Sequence, residues 1–324
     1  MMSLNVKPKE LHLTEHLPQN TRNNSFGFIR FLAATGVILS HHFAISGFDE
    51  PNIEKITFGS VSVYCFFLIS GFLILKSIQR NGSFLRFCSA RLLRIIPNLL
   101  FVLLVTSAAT LVVYSNYGHI SDHMLYVVQN IVMLLRGGPR YEVIGIWQDR
   151  PFHSLNGSIW SLPYEVWCYF FLYAIVIHFE RSNRIILIAA MLICALMTWS
   201  PDIRFWPFAI FTGHLGELGF WFFLGAVFAA FSINIPIASS ATMSWFERLG
   251  DPSYGMYISA WPIQQACAIL IPNFWLSLVV SFILIVTLGY STWHLFEKRA
   301  LGQVEPLERW LKKNARRFAI IGRT

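Results

Sequence analysis

Residues 26–46 read FGFIRFLAATGVILSHHFAIS, and in this stretch only Arg30, His41 and His42 can carry charge. A helix crosses the roughly 30 Å hydrocarbon core of a bilayer in about 20 residues. The stretch therefore predicts a transmembrane helix with a cation near its start and an imidazole near its end. Further apolar runs follow at Thr57–Leu75, Ile95–Tyr114, Ser158–Phe179, Ile185–Trp199, Trp206–Phe231, Ser253–Ile271 and Phe274–Phe296. A weaker run, His123–Leu135, reads as a short span or an interfacial helix. Trp206–Phe231 contains Gly213, Gly216 and Gly219 and reads as one span or as two short pieces. The expected fold is all-α, a polytopic transmembrane helix bundle of eight to ten spans.

Composition points the same way. Of 324 residues, 55% are hydrophobic and 13% charged, about half the charge of an average soluble domain. That excludes a soluble globular chain and a disordered one. The net charge of +8 sits in two places. Lys76–Arg94 carries five basic residues and no acid, and Lys298–Thr324 carries eight basic residues against Glu305 and Glu308, leaving −3 for the rest of the chain. Basic segments that flank apolar runs mark cytoplasmic faces. With the N-terminus inside, 19 Lys/Arg fall on the inner side and 5 on the outer, which predicts that both termini are cytoplasmic. Both basic segments are tied to membrane helices and no nucleic-acid motif accompanies them, so the charge is a topology signal and no nucleic-acid role is expected.

The polar segment 1–24 has no apolar core of a signal peptide, so the first span is expected to act as its own insertion signal. The largest outer segment, Asn116–Gly157, is too small for a separate domain. The tail places Trp310 and Leu311 beside Lys312, Lys313, Arg316 and Arg317, the pattern of an amphipathic helix on the inner membrane surface. Cys65, Cys88, Cys168, Cys194 and Cys267 form no CxxC and read as small packing residues, with neither a disulfide framework nor a zinc signature.

Ionisable residues inside spans are costly and usually face the bundle interior. Arg30 and His41 are eleven residues apart, close to three full helical turns, so both point to one face about 16 Å apart along the axis. Such a pair can line a path for a substrate with an anionic head at the inside and a reactive end deep in the membrane. His42 points about 100° away and reads as structural. Glu165 lies two turns into the span that starts at Ser158. It is expected to orient or charge-balance His41, to bind an acceptor, or instead to pair with an arginine. His214 with Glu217, and His294 with Glu297, have the spacing to face each other on a helix, but two residues make no metal site. His119 and His123 read as solvated.

Six motifs then stand in order: Arg30 to His41 in the first span; Phe66-Phe67-Leu68-Ile69-Ser70-Gly71-Phe72; Ala90-Arg91-Leu92-Leu93-Arg94-Ile95-Ile96-Pro97; Trp160-Ser161-Leu162 with Glu165; Leu249-Gly250-Asp251-Pro252-Ser253-Tyr254-Gly255 ending at Pro262; and Glu297-Lys298. On these the chain resembles the family-3 integral-membrane acyltransferases, which acylate sugars of bacterial surface glycans, antibiotics and nodulation factors. The resemblance runs from about Ser25 to Leu301. It divides the chain into a cytoplasmic segment 1–24, a membrane acyltransferase domain 25–301 and a basic amphipathic tail 302–324. Three departures stand out: Val63-Tyr64-Cys65 replaces a segment that is often acidic, Ala260 stands where many members have His, and Arg299 replaces the usual Pro. There is no appended extracytoplasmic hydrolase-like domain within the chain.

The resemblance implies acyl transfer, most simply acetyl transfer, from cytoplasmic acyl-CoA to a carbohydrate hydroxyl. It places the protein in the plasma (inner) membrane of a bacterium. The implied catalytic residues are His41, as general base or acyl relay, with Arg30 and Glu165. Arg86, Arg91 and Arg94 would bind the donor's phosphates, and Trp160, Ser161 and Tyr254 would support the acceptor or the structure. No bound cofactor or metal is required, because acetyl-CoA is a co-substrate and a thioester is already activated. The alternative from another class is a transporter or flippase of a lipid-linked glycan, against which the chain lacks paired repeats.

Overall fold

The computed structural model describes residues 25–114, 119–133, 138–148, 150–179, 183–199, 214–233 and 244–321. The first helix, α1, spans Phe26–Ile45. A small antiparallel hairpin, Asn52–Ile53 with Ile56–Thr57, turns at Glu54 and leads into α2, Phe58–Arg80. The Thr57 hydroxyl caps α2 by accepting from the Ser60 amide at 3.1 Å, and Ser83 caps α3, Phe84–Val113, in the same way. α4 is Ile120–Ile131; α5, Leu162–His178, follows a 3-10 turn at Ser158–Ser161. Then come α6, Asn183–Trp199, α7, Leu215–Ala230, α8, Ser244–Leu249, and α9, Ser253–Leu270. α10, Phe274–Thr292, runs through a single π turn, Trp293–Glu297, into α11, Lys298–Leu301, and α12, Val304–Ile321.

Each of the eight strong apolar runs holds a helix. Phe26–Ile45, Phe58–Arg80, Phe84–Val113, Ser158–His178 and Phe274–Asn314 are long and apolar enough to span a bilayer. α6 and α7 are apolar but shorter, 17 and 16 residues. α9 buries Ser253, Ser259, Gln264 and Gln265, and its polarity is paired inside the bundle: Gln264 donates to the Ile38 carbonyl at 2.6 Å and Gln265 to the Phe152 carbonyl at 3.0 Å. At about 1.5 Å per residue, the 12 residues of α4 rise only about 18 Å, short of the hydrocarbon thickness. This molecule is an integral membrane protein built as a helical bundle.

The lateral surface is apolar, and the apolar interior also holds small and polar residues at helix contacts. On α10 the buried residues Ser277, Ser281, Ile285 and Gly289 recur every four positions, while Leu276, Val279, Ile283 and Leu284 face outward. Lipid offers large side chains an apolar environment, so tight helix contacts are left to small residues. α2 and α7 cross this way. A Cβ on Gly71 would lie 1.8 Å from the Phe222 carbonyl oxygen, and one on Gly225 would lie 1.9 Å from that of Leu68.

Several expectations are corrected. Gly216 and Gly219 do not interrupt the sixth run, because α7 passes straight through them and uses them to approach Cys194 of α6. Residues 206–213 of that run lie outside the described residues, as does segment 1–24. α3 starts at Phe84, eleven residues before the apolar run, so Arg91 and Arg94 are carried on a helix and not on a connecting segment. His123 is buried and not solvated; burial lowers its basicity against a smaller raising effect of Asp122. His119 stays exposed and caps α4 together with Asp122. His294 is exposed while Glu297 is fully buried. The π turn widens the helix there and takes the pair out of the spacing that an α-helix would give.

Candidate active site

α1 contributes both ends of the site. Arg30 and His41 lie on one face of it, and each lines an internal cavity. Three neighbouring cavities share wall residues. The first, about 580 Å³, is lined by His41, Tyr141, Phe152, Trp160 and Trp261 together with Glu50. The second, about 110 Å³, is lined by Arg30, Arg91, Arg94, Ser161, Glu165 and Tyr257. The third, about 300 Å³, is lined by Arg30, Arg91, Arg94, Asp251 and Trp293. Val63 belongs to the walls of the first and second, and the three arginines to the walls of the second and third.

His41 sets its ring edge-on to Trp261, with centroids 4.9 Å apart, and its Nδ1 is buried without a hydrogen-bond partner. His42 is structural as expected: fully buried, its Nε2 is 2.8 Å from the Ser277 hydroxyl and 3.3 Å from the Phe274 carbonyl. Ser40, one residue before His41, donates to the Glu50 carboxylate at the cavity wall. Tyr141 faces the same cavity, and burial, with a smaller effect of Tyr164, pushes its hydroxyl up to about 12. It is therefore a neutral hydrogen-bond donor at physiological pH.

At the other end the charges are tightly balanced. Asp251 accepts from Arg30 Nη2 at 2.7 Å and from Arg94 Nη2 at 2.8 Å. Burial alone would raise the Asp251 carboxyl, but the two guanidinium groups and Ser253 outweigh it and hold it at about 2. Arg94 reaches Glu297 at 2.9 Å through its other terminal nitrogen, and Asn98 donates to the same carboxylate at 2.7 Å. Arg91 makes no ion pair within 4 Å among the described residues. It lies over the Tyr169 ring at 5.6 Å, and its Nε is buried without a partner.

The sequence-predicted residues separate into two groups. Arg30, Arg91, Arg94, Glu165, Ser161 and Tyr254 share the second cavity, and His41 and Trp160 share the first. Tyr254 is turned to support, donating to the Ile95 carbonyl at 3.0 Å. Arg86 is not brought to any of these walls. It pairs with Glu305 at 3.2 Å and Glu308 at 3.7 Å on α12, the helix that Ser83 also holds through Glu308 at 2.8 Å. Among the described residues Glu165 makes neither a hydrogen bond to His41 nor an ion pair with an arginine within 4 Å. Its carboxylate accepts from Ser70 at 2.9 Å and from Tyr169, both within the arginine-lined half. Asp251 and Glu297 stood in the sequence as motif letters without a role, and their signal was available as carboxylates flanking spans that also need a partner for Arg30 and Arg94. Tyr257 carried no sequence signal beyond its place in the fifth motif.

The fold and this interior define the class: a helical integral-membrane protein whose bundle holds one cavity bearing a histidine and others bearing arginines. The chain belongs to the family-3 acyltransferases, whose acyltransferase domain matches residues 23–245. It is an acyltransferase. The O-acetyl transferase of Shigella phage Sf6 is 28% identical over 337 aligned residues, which cover 88% of this chain and 98% of that protein. Nodulation protein 10 of Rhizobium leguminosarum bv. viciae is 28% identical over 169 residues, 50% of this chain and 46% of that protein. No solved structure matches the chain.

Proposed function

We propose that this acyltransferase moves an acetyl group from acyl-CoA, entering from the cytoplasmic side, to a hydroxyl of a surface or lipid-linked carbohydrate in the inner membrane of a bacterium. The observation that carries the reading is the series of three cavities with Arg91 at one end and His41 at the other. The separation of Arg30 and His41, about 16 Å along α1, is within the span of a pantetheine arm. Similarity to a phage O-acetyl transferase over nearly its whole length supports the acetyl group and the oxygen acceptor.

The residues divide the work. Arg91, whose charge is not taken by a carboxylate ion pair, binds the anionic or amide groups of the donor. Arg30 orients the arm beside it while Asp251 fixes its fork. Arg94 is committed to Asp251 and Glu297 and serves as the brace of that end. The wide cavity around His41 combines the faces of Trp160, Trp261 and Phe152 with Glu50, a lining suited to a sugar ring and its hydroxyls. His41 takes the proton of the acceptor hydroxyl as general base.

The test is His41→Ala, correctly inserted, in an assay of glycan acetylation with purified acetyl-CoA. Transfer should fall at least about 100-fold, with release of free CoA falling in parallel. Near-normal transfer overturns the assignment.

A further inference from the structure

Two hydroxyls in the wall of the arginine-lined cavity sit beside residues of the histidine-lined one. Ser161 and Tyr257 are both buried, and their oxygens are 2.8 Å apart. Both line the second cavity, while their neighbours Trp160 and Trp261 line the first. Trp261 is one turn beyond Tyr257 on α9, about 6 Å along the axis, and it is the ring on which His41 rests. Phe66 closes the other side, edge-on to Tyr257 at 5.8 Å. A chain reaching from Arg91 towards His41 would run by these hydroxyls, which stand one turn of α9 before Trp261.

We propose that the Tyr257 hydroxyl binds the carbonyl oxygen of the donor thioester and stabilises the negative charge that develops there, with Ser161 as the residue that positions and polarises it. The inference rests on the acyl-CoA reading above. In the step, the acceptor oxygen bonds to the thioester carbon and its proton goes to His41. The carbonyl oxygen becomes an alkoxide held by the Tyr257 O–H. When the carbonyl re-forms, the C–S bond breaks and the sulfur leaves with the electron pair, taking the proton back from His41. No electron is gained or lost overall. Either hydroxyl can donate across this contact; in the proposed step Ser161 donates to the phenolic oxygen, which leaves the phenolic proton free for the carbonyl and strengthens it as a donor. A preorganised donor acts where the charge appears and needs no reorganisation.

The pair is also an ordinary buried hydrogen bond between the start of α5 and α9, and the experiment separates the two roles. Tyr257→Phe, Ser161→Ala and the double variant are compared with wild type for kcat, for the KM of acetyl-CoA, and for thermal stability with and without CoA. Tyr257→Phe should lower kcat about 100-fold, with the donor KM and the CoA-induced stabilisation unchanged. Ser161→Ala should lower kcat about tenfold, and the double variant should be no slower than Tyr257→Phe. A kcat within threefold of wild type for Tyr257→Phe overturns the proposal, as does a fall in stability alone. Should Tyr257→Phe fail to insert, Ser161→Ala decides, and an unchanged kcat there overturns it. His41→Ala runs alongside: loss of transfer there with normal Tyr257→Phe sinks this inference alone, whereas normal transfer in both sinks the reading on which it rests.

Discussion

Asp251 holds two arginines that come from different helices, Arg30 on α1 and Arg94 on α3, and it does so from the turn before α9. The lowering of its carboxyl from the usual 3.8 to about 2 corresponds to roughly 2 kcal/mol of native stability at neutral pH. The sign follows from the direction. Protonation is harder in the folded chain, so this contribution is complete above pH 4 and is lost as pH falls from 3.8 through about 2. Asp251→Asn removes it and takes the carboxylate from Arg30, while Arg94 keeps Glu297, costing about 3 kcal/mol. Thermal unfolding in detergent should show the variant well below wild type at pH 7, with the titrating part of the gap about halved at pH 3. An equal gap at both values would mean that the carboxylate is not the tie. Arg94→Lys should also be destabilising, because one ammonium cannot hold Asp251 and Glu297 through separate nitrogens.

At the scale of helices, α2 and α7 meet through glycine. Gly71→Ala drives its methyl into the Phe222 carbonyl, which is backbone and cannot rotate away. The expected cost is about 1–3 kcal/mol. Gly82→Ala, whose new methyl finds only Ile177 Cδ1 at 3.6 Å, serves as the control and should stay within about 0.5 kcal/mol. Comparable melting temperatures for the two variants would show that the α2–α7 contact is looser than its geometry. These same helices mark the boundary of what the sequence could tell. Apolar runs of about 20 residues announce their helices individually, since each must satisfy its own backbone in lipid. Arg30 and His41 could be placed on one face because both are on one continuous helix. That Glu165 accepts from Ser70 could not be read, because it depends on α2 lying beside α5 and no periodicity encodes which helices touch, whereas Tyr169 is one turn further along the same helix. Arg91 and Arg94 read as part of a connecting basic segment because hydropathy marks only the apolar run that follows, and not the first turns of the helix that carry them. The His294–Glu297 spacing failed for a local reason, a π turn that interrupts α-helical geometry.

Across the whole molecule, the cavities turn a charge pattern into a direction. On the proposed function, the end bearing Arg91 is the cytoplasmic one, as the excess of lysine and arginine predicts, and the end bearing His41 faces outward. That orientation would let a donor confined to one compartment serve an acceptor confined to the other, without either substrate crossing the membrane whole. It can be checked with single cysteines in a background lacking the five native ones. Ala90→Cys, in the wall of the third cavity, should react with a membrane-impermeant thiol reagent only from the cytoplasmic side. Ser60→Cys, in the wall of the first, should react only from the outside. Added CoA should slow labelling of Ala90→Cys at least about tenfold at a saturating concentration, because bound donor occupies the mouth that the reagent must enter. It should leave Ser60→Cys nearly unchanged, since the phosphate-bearing head stays at the arginine end. Labelling of both positions from one side would refute the through-bundle path. Protection of Ser60→Cys alone would place the donor's head at the histidine end and reverse the roles of the two cavities.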